Sequence, residues 1–128
     1  MKNLLSVLIL FLAFSIAKVA GQSLSAITKA IGEGNAETLG QNFDNTVELS
    51  ILDTEEAYSR ADAVKIVRDF FTKNKVASFS QMHQGASKGQ DSQFIIGILN
   101  TSVGTYRVYI YMKVTGGKYL VQELRFDK

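Results

Sequence analysis

From Thr105 to Thr115 the chain alternates. Tyr106, Val108, Ile110 and Met112 fall at one parity, and Arg107, Tyr109, Tyr111 and Lys113 at the other. A period of two belongs to a strand whose two faces meet different surroundings. Gly116-Gly117 follows as a hairpin signal, and Lys118 to Phe126 reads as the returning strand. Two more strand-like runs come before, Val76 to Gln84 and Gln93 to Asn100, parted by a loop that holds Gly85 and Gly89; the turn Thr101 to Gly104 leads into the alternating segment. Four consecutive strands with short connections predict an antiparallel meander. One face of it must be covered by whatever precedes it.

The cover is readable. Ser59 to Asn74 places Ala63, Val64, Val67, Phe70 and Phe71 at helical spacing. Ser59 suits the cap position, and Asp62 sits in the first turn, where the helix dipole favours an acid. Lys65 and Asp69 stand one turn apart as an expected pair, and Lys73 and Lys75 suit the carboxyl end. Upstream, Leu24, Ile27, Ala30 and Ile31 predict a short helix closed by Gly32 and Gly34, and Asn35 can cap a second one, Ala36 to Asn42. Thr46 to Leu52 alternates as a strand, and Asp53 to Tyr58 is a polar connection or a short extra strand. Gly97, in mid-strand, marks a bend or bulge, and a bent sheet around a helix leaves a concavity. The fold class is α+β: N-terminal helices and one long helix packed in a strongly curved antiparallel sheet.

The first residues carry an address rather than part of this domain. Lys2 is followed by an almost wholly apolar run, Leu4 to Ala17, and then by Val19-Ala20-Gly21. A charged start, an apolar stretch and a small-residue exit describe a secretory signal peptide. The expected cut lies between Gly21 and Gln22, so that 1–21 is the signal and 22–128 a single domain, exported to the periplasm or beyond. The alternative, a retained anchor, needs about 20 apolar residues, and the run is shorter. Without Lys2 and Lys18 the remaining basic and acidic side chains balance at twelve each. That balance removes the electrostatic case for nucleic acid or an anionic membrane as partner. Eight of the twelve acids lie in Gln22–Val64 and ten of the basic residues in Lys65–Lys128, an asymmetry most simply resolved within the fold. No cysteine is present, so packing must hold an exported domain without disulfides.

Several strings resemble a known family. They are Asp44-Asn45-Thr46-Val47-Glu48-Leu49, Tyr58-Ser59-Arg60-Ala61, Asp69-Phe70-Phe71, Phe79-Ser80-Gln81-Met82-His83-Gln84-Gly85, Tyr106-Arg107-Val108-Tyr109 and Gln122-Glu123-Leu124-Arg125. They are similar to a family of small exported Bacteroidetes proteins, the domain-of-unknown-function family numbered 4783, across nearly the whole of 22–128. The order of elements resembles the nuclear transport factor 2-like superfamily, cone-shaped relatives of cystatin-like folds. The resemblance implies the cone fold and carries over no catalytic residue. The superfamily contains isomerases, dehydratases, binding modules and scaffolds, so fold alone assigns no activity.

The candidate residues are few. His83 is the one histidine and the weak candidate for a catalytic base, with no cysteine or second histidine to build a zinc site. Tyr109 and Tyr111, with Arg107, give the third strand an aromatic and basic strip; Arg125 on the fourth strand, Tyr58 and His83 complete the expected ligand or partner face. Tyrosine also suits any half-buried strand. Arg107 and Arg125 are structural if they pair with Glu123 or another acid, and anion anchors if they do not. Asp44, Glu48 and Asp53 are carboxylates in polar, turn-like surroundings, without the spacing of a calcium loop. No Gly-x-Ser-x-Gly, phosphate-loop or dinucleotide pattern occurs. The expectation is an exported, non-enzymatic binding protein without cofactor or metal. It uses the cone or the exposed sheet face, for a small molecule, an envelope protein or a second copy. The alternatives are a cofactor-free isomerase- or dehydratase-like enzyme with its chemistry in the cone, and a structural part of an envelope assembly.

Overall fold

The computed structural model describes residues 19–89 and 91–128, with side chains from Leu24 onward. The expected signal run up to Lys18 lies outside the described residues. Helix α1 spans Val19–Glu33, α2 Ala36–Gly40 and α3 Arg60–Lys73; the strands are β1 Phe43–Ile51, β2 Thr54–Ser59, β3 Val76–Ala86, β4 Ser92–Thr101, β5 Gly104–Thr115 and β6 Lys118–Asp127. Gly21 and Gln22, the expected cleavage pair, fall in the opening turn of α1.

Local chemistry sets the helix ends. Gly34 stops α1 in the left-handed conformation, φ 65°. Its N–H donates to the Ile31 carbonyl and that of Asn35 to the Ala30 carbonyl, the paired bonds of a Schellman end. Gly32, expected to share in closing the helix, lies inside it. The Asn35 side chain then accepts from Thr38 N and starts α2, which ends at Gly40, two residues before the expected Asn42. Ser59 caps α3 by accepting from Asp62 N, and Asn74 closes the helix from its other end. Asp69 pairs with Lys73, at 3.1 Å, rather than with Lys65. Both lysines are four residues away, and an acid N-terminal to its lysine is the better orientation along a helix.

The strands form one sheet in the order β2-β1-β6-β5-β4-β3. The meander β3 to β6 is antiparallel throughout. Asp53 to Tyr58 resolves into the turn to β2 and most of that strand, which pairs antiparallel with β1. One pairing departs from the antiparallel expectation: β1 lies parallel to β6, Leu49 opposite Leu124 and Ile51 opposite Phe126. Parallel neighbours need a long crossover, and everything from β2 to β5 supplies it.

The core lies between the helices and one face of the sheet. Val47, Leu49, Leu99, Val108, Ile110, Met112, Leu124 and Phe126 come from the strands, and Ile27, Ile31, Leu39, Val67, Phe70 and Phe71 from the helices. Phe70 stands 4.4 Å from Phe126 and 5.2 Å from Tyr106, centroid to centroid. The concavity expected of a bent sheet is therefore filled by aromatic rings. Gly97 makes the bend possible: a Cβ there would lie 2.4 Å from the Phe79 ring and 2.6 Å from the Ser80 carbonyl oxygen.

Candidate functional site

Besides a recess of about 470 Å³ lined by Ser87, Asp91, Ser92, Tyr111, Lys113 and Gln122, two places among the described residues are open enough to hold something. Between the last turns of α3 and the turn after β1, a recess of about 260 Å³ is lined by Leu52, Ile66, Asp69, Phe70, Lys73, Asn74 and Tyr106 among others. Its polar atoms are occupied. The Tyr106 hydroxyl donates to Asn74 Oδ1 at 2.6 Å, and Asn74 Nδ2 donates to the Phe70 carbonyl at 2.9 Å. Among the described residues no buried side-chain nitrogen or oxygen lacks a partner. The titratable groups at its rim, Asp69 and Lys73, pair with each other at 3.1 Å.

The second place is the face of the sheet turned away from the helices. The register aligns three rows of side chains across it. One reads His83, Ile96, Tyr109, Arg125 and Ser50; the next Gly85, Phe94, Tyr111, Glu123 and Glu48; the third Ser80, Ile98, Arg107 and Asp127. Strands about 4.8 Å apart put His83 roughly 10 Å from Tyr109. Phe94 lies over Gly85, where a Cβ would meet its ring at 2.3 Å, and stacks on Tyr109 at 6.3 Å with 15° between the planes. Phe94, Ile96, Ile98, Tyr109 and Tyr111 are all partly exposed. They form an apolar strip over two strands, bordered by charge on β6.

A groove of about 350 Å³ runs over this strip, lined by Ile96, Arg107, Tyr109, Glu123, Arg125 and Asp127. Arg125 leans toward Glu123 and Asp127, at 3.7 and 3.9 Å. Arg107 makes no ion pair among the described residues, although Asp127 is its cross-strand neighbour. Of the two arginines, then, Arg125 follows the structural expectation and Arg107 stays available. Burial raises the Tyr109 phenol above its usual range, and Glu123 adds to that. It stays a neutral hydrogen-bond donor at physiological pH.

Arg107, Tyr109, Tyr111, Arg125 and His83 thus share one face, as expected. Tyr58 does not. It lies opposite Val47 on the helix side of β2 and donates to Glu56 at 3.0 Å, because the turn at Leu52, φ 55°, sets β2 in the register that points Tyr58 to the core. Asp44, Glu48 and Asp53 do not converge. Asp44 accepts from Gln122 and from Asn45 N; Glu48 meets Glu55, whose shared hydrogen bond holds its carboxyl above the usual value; Asp53 sits in the turn. Among the described residues no group of three or more acids or histidines is placed to hold a metal. Phe94, Ile96 and Ile98 were not among the expected site residues. Their signal was present: Phe94 to Leu99 is a nearly continuous apolar run, which in a strand makes both faces apolar.

A curved six-stranded sheet wrapped around a long helix is the cone of the nuclear transport factor 2-like proteins. A protein of that family from Streptomyces avermitilis superposes with a TM-score of 0.58 over 90% of this chain and 96% of its own, at 11% identity, a likeness of fold alone. The chain belongs to the family described as Domain of unknown function (DUF4783), whose model matches residues 24–127. The family's crystal structure from Bacteroides ovatus is 31% identical, with a TM-score of 0.76 over 80% of this chain and 92% of that one. The one from Bacteroides fragilis is 33% identical, with a TM-score of 0.75 over 80% and 95%. No curated protein matches.

Proposed function

We propose that this is an exported, non-enzymatic binding protein whose working surface is the outer face of β4, β5 and β6, and that its partner is an envelope polypeptide. One observation carries the reading. The cone is packed with phenylalanine while the opposite face leaves Phe94, Ile96, Ile98, Tyr109 and Tyr111 partly exposed in a continuous strip. Contiguous apolar surface rimmed by charge marks interaction sites. Its shape favours a polypeptide: the groove is open rather than enclosed, whereas small molecules are held in concave sites that cover most of their surface. Tyr109 and Arg107 are the residue types that most often anchor interfaces. Export is supported by the charged and apolar opening of the chain and by a family match that begins at residue 24, just beyond Gln22.

Native mass spectrometry of the protein isolated from its host's envelope tests this. The subunit mass should correspond to residues 22–128. A complex with a second polypeptide should appear and should disappear in the Tyr109→Glu variant. A second copy held by this face would give a doubled mass lost in that variant. A partner that stays bound when Tyr109 is replaced would move the working surface elsewhere.

A further inference from the structure

The two edges of the sheet are built differently. β2 is six residues long and carries Glu55 and Glu56. β3 is eleven residues long, Val-Ala-Ser-Phe-Ser-Gln-Met-His-Gln-Gly-Ala, with no lysine, arginine, aspartate, glutamate or proline. An edge strand presents a row of unpaired N–H and C=O groups, and proteins normally blunt such edges with charge, proline, short length or a bulge. β3 has the last device alone, with one irregularity between Val76 and Ser78 and a second between Gln81 and His83 that leaves Met82 59% exposed. Before it, Ser78 to Gln81 stays in unbroken register with β4. Ser78, Ser80 and Gln81 are exposed, and α1 meets the strand on its helix side, where Gly32 faces Phe79. Among the described residues no backbone group of Ser78 to Gln81 bonds to anything other than its own sheet.

We propose that β3 is an interface between two copies of this chain, which pair antiparallel along Ser78–Gln81 and join their sheets into one of twelve strands. The occupant follows from charge. When a strand pairs with its own copy about a two-fold axis, residues near the axis face themselves, so any charge there faces an identical charge. Like charges directly opposite each other destabilise a strand pair. β3 has no charge to oppose in any register, whereas β2 would set Glu55 and Glu56 against their own copies. The exposed side chains of the seam, Ser78, Ser80 and Gln81, donate and accept across a pair without a dedicated partner, while Phe79 turns to α1. This interface lies along the β3 edge beside the β4–β6 strip and does not depend on what that strip binds.

Sedimentation equilibrium of the protein purified from its host, over a range of concentrations, provides the test. The mass should rise from monomer to dimer. Ser80→Lys should weaken association at least tenfold, and Ser80→Asn should leave it within about twofold. Tyr109→Glu should remain dimeric. Hydrogen exchange of the unaltered protein gives a second measurement that requires no variant: amides of Ser78–Gln81 should become more protected as concentration rises. A monomer at every concentration, a dimer as tight in Ser80→Lys, a dimer lost in Tyr109→Glu, or amides in that stretch indifferent to concentration would each overturn the proposal.

Discussion

At the scale of single residues, the buried polar pair Tyr106 and Asn74 ties the start of β5 to the end of α3. Each group satisfies the other in a place where water would otherwise be needed. Removing one partner leaves the other without a bond in a dry setting. Tyr106→Phe should therefore cost about 1–3 kcal/mol in urea denaturation, with the slope unchanged. An unaltered midpoint would show that water takes over the Asn74 oxygen. Charge at the other side of the sheet behaves differently. Glu55, and less strongly Glu123, raise the Glu48 carboxyl above its ordinary value of 4.5. The folded protein then binds this proton more tightly than the unfolded chain does. That contribution is full below the ordinary carboxylate range and is lost as pH rises through the raised value. Glu55→Gln should remove this dependence, giving a protein slightly more stable than the original at pH 7 and equal to it at pH 3. The gain is small because both carboxylates face solvent. Equal stability at both pH values would show that the two acids do not interact.

At the scale of elements, α3 shows why some parts of the fold could be read directly. Its cap, its first-turn acid and its apolar face are all local in sequence, and both ends come within a residue of expectation. Ser59→Ala should lower stability by about 1 kcal/mol, as measured by thermal or urea unfolding, by freeing the Asp62 amide. A loss no larger than that of an exposed serine elsewhere would argue that Arg60, which bonds the Phe43 carbonyl and Asn45, holds that end instead. The meander was legible for the same reason: period two and Gly-Gly are short-range signals. The parallel seat of β1 beside β6 was not, since nothing within either strand records a neighbour some seventy residues away. Tyr58 was misplaced because one residue of register decides which face a side chain takes, and that register depends on the turn at Leu52. For the outer face, β5 gave Arg107, Tyr109 and Tyr111 by alternation. The β4 residues beside them escaped because an unbroken apolar run does not say which face it offers.

At the scale of the whole molecule, the acidic and basic halves of the sequence are joined by one ion pair among the described residues, Arg68 to Glu37, and each of the other four lies within a single half. The described helices contain none long and apolar enough to cross a membrane. The pairing of β1 with β6 has a consequence in time. β6 is an interior strand that comes long after β1 in the chain, and β1, already paired with β2 on one edge, gains its other neighbour only when β6 arrives. Long-range pairings of this kind make closure late and slow. The sheet is complete only once β6 has been inserted between β1 and β5, so the two flanks of the sheet stay apart until that single strand is in place.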